Sequence, residues 1–199
     1  MSIARRSRRP ADAVRADALD TAQRLLIEGG PDAVTLKAVS AALGMTHANL
    51  IHHFGSAAAM QAALVERMLD NVRDRVRETI AEVRAGRLET RALVDLVFDN
   101  FEDGGVGRLV AWLILSGEAP RLAPMLQGIH QLVDAIEADV PDPQPQTRAH
   151  ITTATLVLVL TAIGDSLAGS ELHAAVGREP QAARDALAGF ITALMPTRQ

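Results

Sequence analysis

Two short segments in tandem constrain this chain more than anything else in it: TLKAVSAALG at 35–44 and THANLIHHF at 46–54. Each opens on a threonine, whose side-chain oxygen can accept from the free backbone N–H groups of a helix's first turn. In the first, Leu36, Val39 and Leu43 recur at helical spacing, and Gly44 ends the helix. The second runs to about Phe54. Two short helices joined by three or four residues around a glycine are a helix-turn-helix candidate. Here the turn is Leu43-Gly44-Met45-Thr46. Glycine takes the left-handed conformation such a turn needs, and Met45 and Leu50 can pin the third helix to the second.

The neighbouring segments continue the helical pattern. Before the pair, Val14, Ala18, Ala22, Leu25 and Leu26 mark a helix stopped by Gly29, Gly30 and Pro31. After it, Ser56 can cap a much longer helix to about Ala85, with Gly86 at its stop. Further helices are expected over 90–103, 108–118, 122–140, 147–167 and 181–194, with PDPQP at 141–145 the clearest loop. No stretch alternates with strand period and no repeat is present. The expected fold is all-α, and the nearest thing to a domain boundary falls within the long fourth helix.

Composition agrees. The chain has 199 residues, 48% hydrophobic and 22% charged, so a folded protein is expected. It is rich in alanine and poor in aromatics, with one Trp, four Phe and no Tyr, which favours helices. The absence of cysteine excludes disulfides, thiol chemistry and zinc–thiolate sites. Net charge is −4, yet Arg5, Arg6, Arg8 and Arg9 precede the first acid, Asp12. Residues 1–10 read as a flexible arm, either a solubilising tail or a phosphate- or groove-binding one. A secretion signal would follow such a cluster with an apolar run, whereas ADAVRADALD follows here. The longest apolar run, Ile151–Ile163, is too short to span a bilayer and is dotted with threonine. These features lead us to expect a cytoplasmic protein without a membrane partner.

Three of the six histidines, His47, His52 and His53, fall within seven residues. Helical metal ligands usually sit four apart on one face. His47 and His52 are five apart, His52 and His53 are adjacent, and no carboxylate lies between Gly44 and Gln61. Metal binding and proton transfer are therefore poor readings, leaving a solvated cluster or contact with a polyanion. With Leu50 and Phe54 pointing inward, a turn of about 100° per residue directs Ala48, Asn49 and His52 outward, with Ile51 and His53 on the flanks. That outward face is small, polar and free of acids, which suits a helix lying in the major groove.

At this point the sequence resembles the TetR family of transcriptional regulators, over about Ala13–Leu69. The family pattern is carried by Thr35, Lys37, Ala41–Ala42, Gly44-Met45, the Leu50-Ile51-His52-His53-Phe54 ending and Ser56. The resemblance implies that Thr35 caps its helix and touches a phosphate, and that Lys37, the only lysine, reaches phosphate or a base edge. It implies base contacts from His47, Ala48 and Asn49, and base or phosphate contacts from His52 and His53. With the cap Thr46, Ile51 and the arginine arm, these make up the candidate DNA-binding set. Two departures weaken sequence-independent binding: the family's usual tyrosine is Ile51, and its usual lysine at the start of the fourth helix is Ala57.

The resemblance further implies a division into an arm at 1–10, a helix-turn-helix unit at 11–56 and an effector-binding and dimerisation domain at 57–199. The dimer would form through the last two long helices, about 147–167 and 181–194, in an intersubunit four-helix bundle. ATLVLVLTAIGDSLAG is apolar nearly all round, and such a helix must be buried on several sides. Gly164 and Ala168 would let another helix approach. Phe98, Phe101, Trp112, Met125 and His130 are candidates to line an effector pocket, since aromatics and methionine line adaptable apolar cavities. Asp165 is open between an interface cap and a ligand contact. GGVG at 104–107 lacks the ending of a phosphate loop and reads as a helix break.

The resulting expectation is a non-enzymatic, homodimeric regulator, in this family most often a repressor. It would bind a pseudo-palindromic operator on double-stranded DNA and leave it when a small, largely apolar effector binds; no cofactor or metal is implied. The alternatives are an all-helical enzyme or small-molecule carrier, and a relative that has lost DNA binding and persists as a scaffold.

Overall fold

The computed structural model describes residues 10–103 and 105–194, and the arginines Arg5, Arg6, Arg8 and Arg9 lie outside them. Among the described residues there are nine α-helices and no strand. They are α1 (Ala11–Gly29), α2 (Leu36–Ala42), α3 (His47–Phe54), α4 (Ala57–Arg84), α5 (Thr90–Glu102), α6 (Val106–Leu115), α7 (Ala123–Ala138), α8 (Thr147–Val176) and α9 (Ala182–Leu194). The chain forms two compact units that part between Leu64 and Val65, inside α4.

The first unit closes around Ala18, Ala22 and Leu26 of α1, Val34, Leu36 and Val39 at α2, Leu50 and Phe54 of α3, and Met60 and Leu64 of α4. These are the positions at which apolar residues recur with helical period. Alanine at 18 and 22, wholly buried, keeps α1 close to its neighbours.

The second unit is built around α5, which packs against α6, α8 and α9. Leu93, Val94, Val97 and Phe98 are buried on it. A polar clamp fastens α9 to α5. The buried Arg184 donates to Asp99 at 2.6 Å and to Asp95 and Glu102, each at 3.2 Å. Its guanidinium lies 5.0 Å from the centroid of the Phe98 ring. Burial works hardest against its charge, but hydrogen bonds to Asp99 and Asp95 outweigh burial and hold Arg184 above the ordinary arginine value.

Helix α8 departs from the sequence expectation in two ways. It runs nine residues past Leu167, to Val176, and stops at Gly177, whose φ of 65° is left-handed. The added turns begin at Ala168 and include Gly169, which has a local reason to be there. A Cβ on it would lie 2.7 Å from Asp165 Oδ1. The carboxylate of Asp165 passes over that bare turn and meets His173 Nε2 at 3.0 Å, bridging two turns of the helix.

The second departure is burial. Only Leu158, Ala162 and Gly169 of α8 are buried, while Leu156, Leu160 and Leu167 are 60%, 60% and 48% exposed. At about 100° per residue the two stripes lie on opposite sides of the helix. The helix is thus covered on one narrow side, not on several. By length and composition alone α8 meets the measure of a membrane span, as core helices of soluble proteins also do.

Candidate nucleic-acid interface

The first unit presents α3 through a chain of local bonds. Thr35 Oγ1 accepts from the Ala38 N–H at 3.1 Å and so starts α2. Gly44, at φ 63°, ends it. The Gly44 N–H donates to the Ala41 carbonyl at 3.1 Å and the Met45 N–H to the Ser40 carbonyl at 2.9 Å, the paired closure that a left-handed glycine permits. Thr46 Oγ1 then accepts from the Asn49 N–H at 3.3 Å and starts α3. Ser56 Oγ repeats the device on the Ala59 N–H at 3.1 Å, ahead of α4.

Leu50 and Phe54 are the buried residues of α3. His47, Ala48, Asn49, Ile51 and His52 are exposed and His53 is half-buried. The rings of His52 and His53 meet edge to face, 5.7 Å between centroids. Thr35, Lys37 and Thr46 are exposed as well. The candidates on α2 and α3 therefore lie on solvent-facing surface, with no acid on either helix.

Two supporting contacts carry no sequence signature. Arg15 of α1 donates from Nη1 to the His53 carbonyl at 2.8 Å, and its guanidinium sits 4.4 Å from the centroid of the Phe54 ring. It therefore ties down the C-terminal turn of α3, where unpaired carbonyls favour a cation. Gln61 Nε2 donates to the Val34 carbonyl at 3.1 Å, joining the start of α4 to the segment before α2. In the sequence, Arg15 is one of many arginines on amphipathic helices, and nothing in its spacing marks it out.

The effector candidates do not converge in the same way. Phe98 and Phe101 are buried, and Phe98 lies under Arg184. Trp112 is half-buried. His130 is exposed, 3.5 Å from Asp134, and Asp165 is occupied by His173. Met125 alone of the six lines a small apolar cavity of about 10 Å³, together with Val65, Met68 and Leu113 among its nine aliphatic and methionine walls. A wider cleft of about 350 Å³ is bordered by Arg77, Ile80, Arg84, Ile136 and Asp139 and includes none of the six. Among the described residues no three His, Asp or Glu side chains gather as a metal site requires.

Residues 18–64 match the family model described as bacterial regulatory proteins, tetR family. No curated protein matches the chain. Among solved structures the chain is similar to a TetR-family transcriptional regulator from Pectobacterium atrosepticum, at 18% identity over 96% of each chain, with a TM-score of 0.60. At that identity the likeness speaks for the fold, and it extends over both units.

Proposed function

We propose that this chain, whose residues 18–64 match the tetR-family model, is a DNA-binding transcriptional regulator that works as a homodimeric repressor released by a small, largely apolar effector. The observation that carries the reading is the outer face of α3: exposed, polar, acid-free and held by caps at both ends. Thr35, Lys37 and Thr46 would meet phosphate or base edges, with Ala48, Asn49 and His52 facing the groove. Two such helices, one from each subunit, would enter successive major grooves about 34–36 Å apart on a pseudo-palindromic operator.

The second copy is supported by α8. Leu156, Leu160 and Leu167 form an uncovered apolar stripe, and Phe190 on α9 is 39% exposed. Gly164 lies beside the stripe, and a Cβ on it would meet nothing within 4 Å. A stripe of this kind costs free energy in water and is removed from it by a self-complementary partner. The effector would enter at the cavity lined by Met68 and Met125, whose flexible side chains can swing to enlarge a space now about the size of one water. Helix α4 supplies Val65 and Met68 to that cavity and also belongs to the first unit. Displacing it would spoil the spacing of the two recognition helices, so effector and operator would oppose each other by the same factor. Such a protein works in the cytoplasm, with the DNA.

The test is a gel shift of the full chain on the DNA flanking its own gene. With about 6–10 phosphates neutralised, affinity should fall by roughly 10³-fold or more between about 50 and 200 mM salt. Binding that is absent, or unchanged by salt, contradicts the proposal.

A further inference from the structure

We infer that the base pairs under the centre of α3 are A·T, with Asn49 reading adenine and Ala48 touching the thymine methyl. This deepens the DNA-interface reading above and rests on it.

The argument begins with the groups α3 lacks. His47–Phe54 contains no arginine or lysine, the side chains that most often read guanine through O6 and N7. It contains no aspartate or glutamate, which accept from cytosine N4. The usual readers of a G·C pair are therefore missing from this helix.

The groups present suit the other pair. Asn49 is exposed, and its side-chain amide makes no hydrogen bond among the described residues; its backbone N–H is the group that Thr46 caps. An amide offers one acceptor and one donor in a plane, the complement of adenine N6–H and N7. Ala48, exposed beside it, offers a bare methyl, and apolar contact with the thymine C5-methyl is how small side chains recognise that base. Ile51, 40% exposed on the flank, adds apolar surface and no hydrogen bond. His52 lies between them and can donate or accept, so it adapts to the base it meets. The Thr46 cap at one end of α3 and the Arg15 bond to the His53 carbonyl at the other fix the rotation of the helix, and with it the direction of Asn49. Lys37 lies on α2, outside this face.

The experiment is selection of the full-length chain on a duplex library randomised over about two helical turns, run in parallel with Asn49→Ala. Alanine keeps both the helix and the backbone N–H that Thr46 caps. The position whose preference relaxes in the variant lies under Asn49, and adenine is expected there. On the selected duplex, 7-deazaadenine at that position should weaken wild-type binding about tenfold and Asn49→Ala binding less than about twofold. Uracil in place of the adjacent thymine should cost the wild type about threefold. Relaxation at guanine or cytosine, no relaxation at any position, or equal sensitivity of both proteins to 7-deazaadenine overturns the inference while leaving DNA binding intact. Failure of the wild type to enrich any sequence overturns the DNA-interface reading itself.

Discussion

Helices α3 and α8 follow the same plan with opposite chemistry. Each buries one stripe and turns the other side to solvent. On α3 the buried pair is Leu50 and Phe54, and the free side is histidine, asparagine and alanine, with Ile51 on its flank. On α8 the buried stripe is Leu158, Ala162 and Gly169, and the free side is leucine. A polar, acid-free face on a short, doubly capped helix fits a hydrated polyanion. A leucine face on a 30-residue helix fits another apolar surface. In both helices the covered side builds the fold, and the proposed function rests on the uncovered side.

The largest effect is expected on α8. Replacing Leu156 and Leu160 together with arginine should weaken self-association on the order of 100-fold or more and abolish operator binding, with α3 untouched. Sedimentation equilibrium reads the first and anisotropy the second. A double variant with unchanged mass would remove the two-copy reading.

A pair of glycine substitutions separates the two sides of α8. Gly107 on α6 faces Ser166 so closely that a Cβ there would overlap the Ser166 side chain. Gly107→Ala should therefore cost about 1–3 kcal/mol of stability in thermal or urea unfolding. Gly164 faces open space. Gly164→Ala should stabilise the helix itself by up to about 1 kcal/mol and yet weaken self-association. Equal effects from the two would erase the distinction between covered and uncovered sides.

Arg184 tests the clamp between α5 and α9. Arg184→Ala removes the cation from Asp99 and Glu102 and leaves Asp95 to Arg91 alone, and should cost about 2 kcal/mol. The smallest effect is expected for Arg15→Gln. It loses the charged bond to the His53 carbonyl and should lower stability by about 1 kcal/mol, with a several-fold loss of DNA affinity as α3 loosens. Urea unfolding and a binding titration on the same preparation check both; a loss of stability without loss of affinity would reduce Arg15 to a packing residue.

Much of the recognition unit is legible in the sequence because its signals are local. Thr35, Thr46 and Ser56 cap the helices they precede, and Gly44 takes the left-handed turn its position demands. The inward choice of Leu50 and Phe54 also holds, since two apolar residues four apart define the buried side of a short helix. Arg15 and Arg184 are not legible: each acts on a partner tens of residues away, and an arginine's spacing along its own helix says nothing of that partner. The end of α8 is not legible either, because the bridge from Asp165 over Gly169 to His173 joins residues eight apart and leaves no mark in the sequence pattern. The pocket candidates scatter for a related reason. Aromatic residues fill cores as readily as cavities, and Phe98 packs under Arg184.

The central claim is that the outer side of α3 lies against bases. The most direct measurement is anisotropy on the DNA flanking the gene, comparing wild type with the Asn49→Ala/His52→Ala double variant, with sedimentation confirming equal mass. The account predicts that the variant keeps its fold and its mass but binds at least about 100-fold more weakly, at the level of mixed-sequence DNA. A double variant that binds the same DNA as tightly as wild type would contradict it.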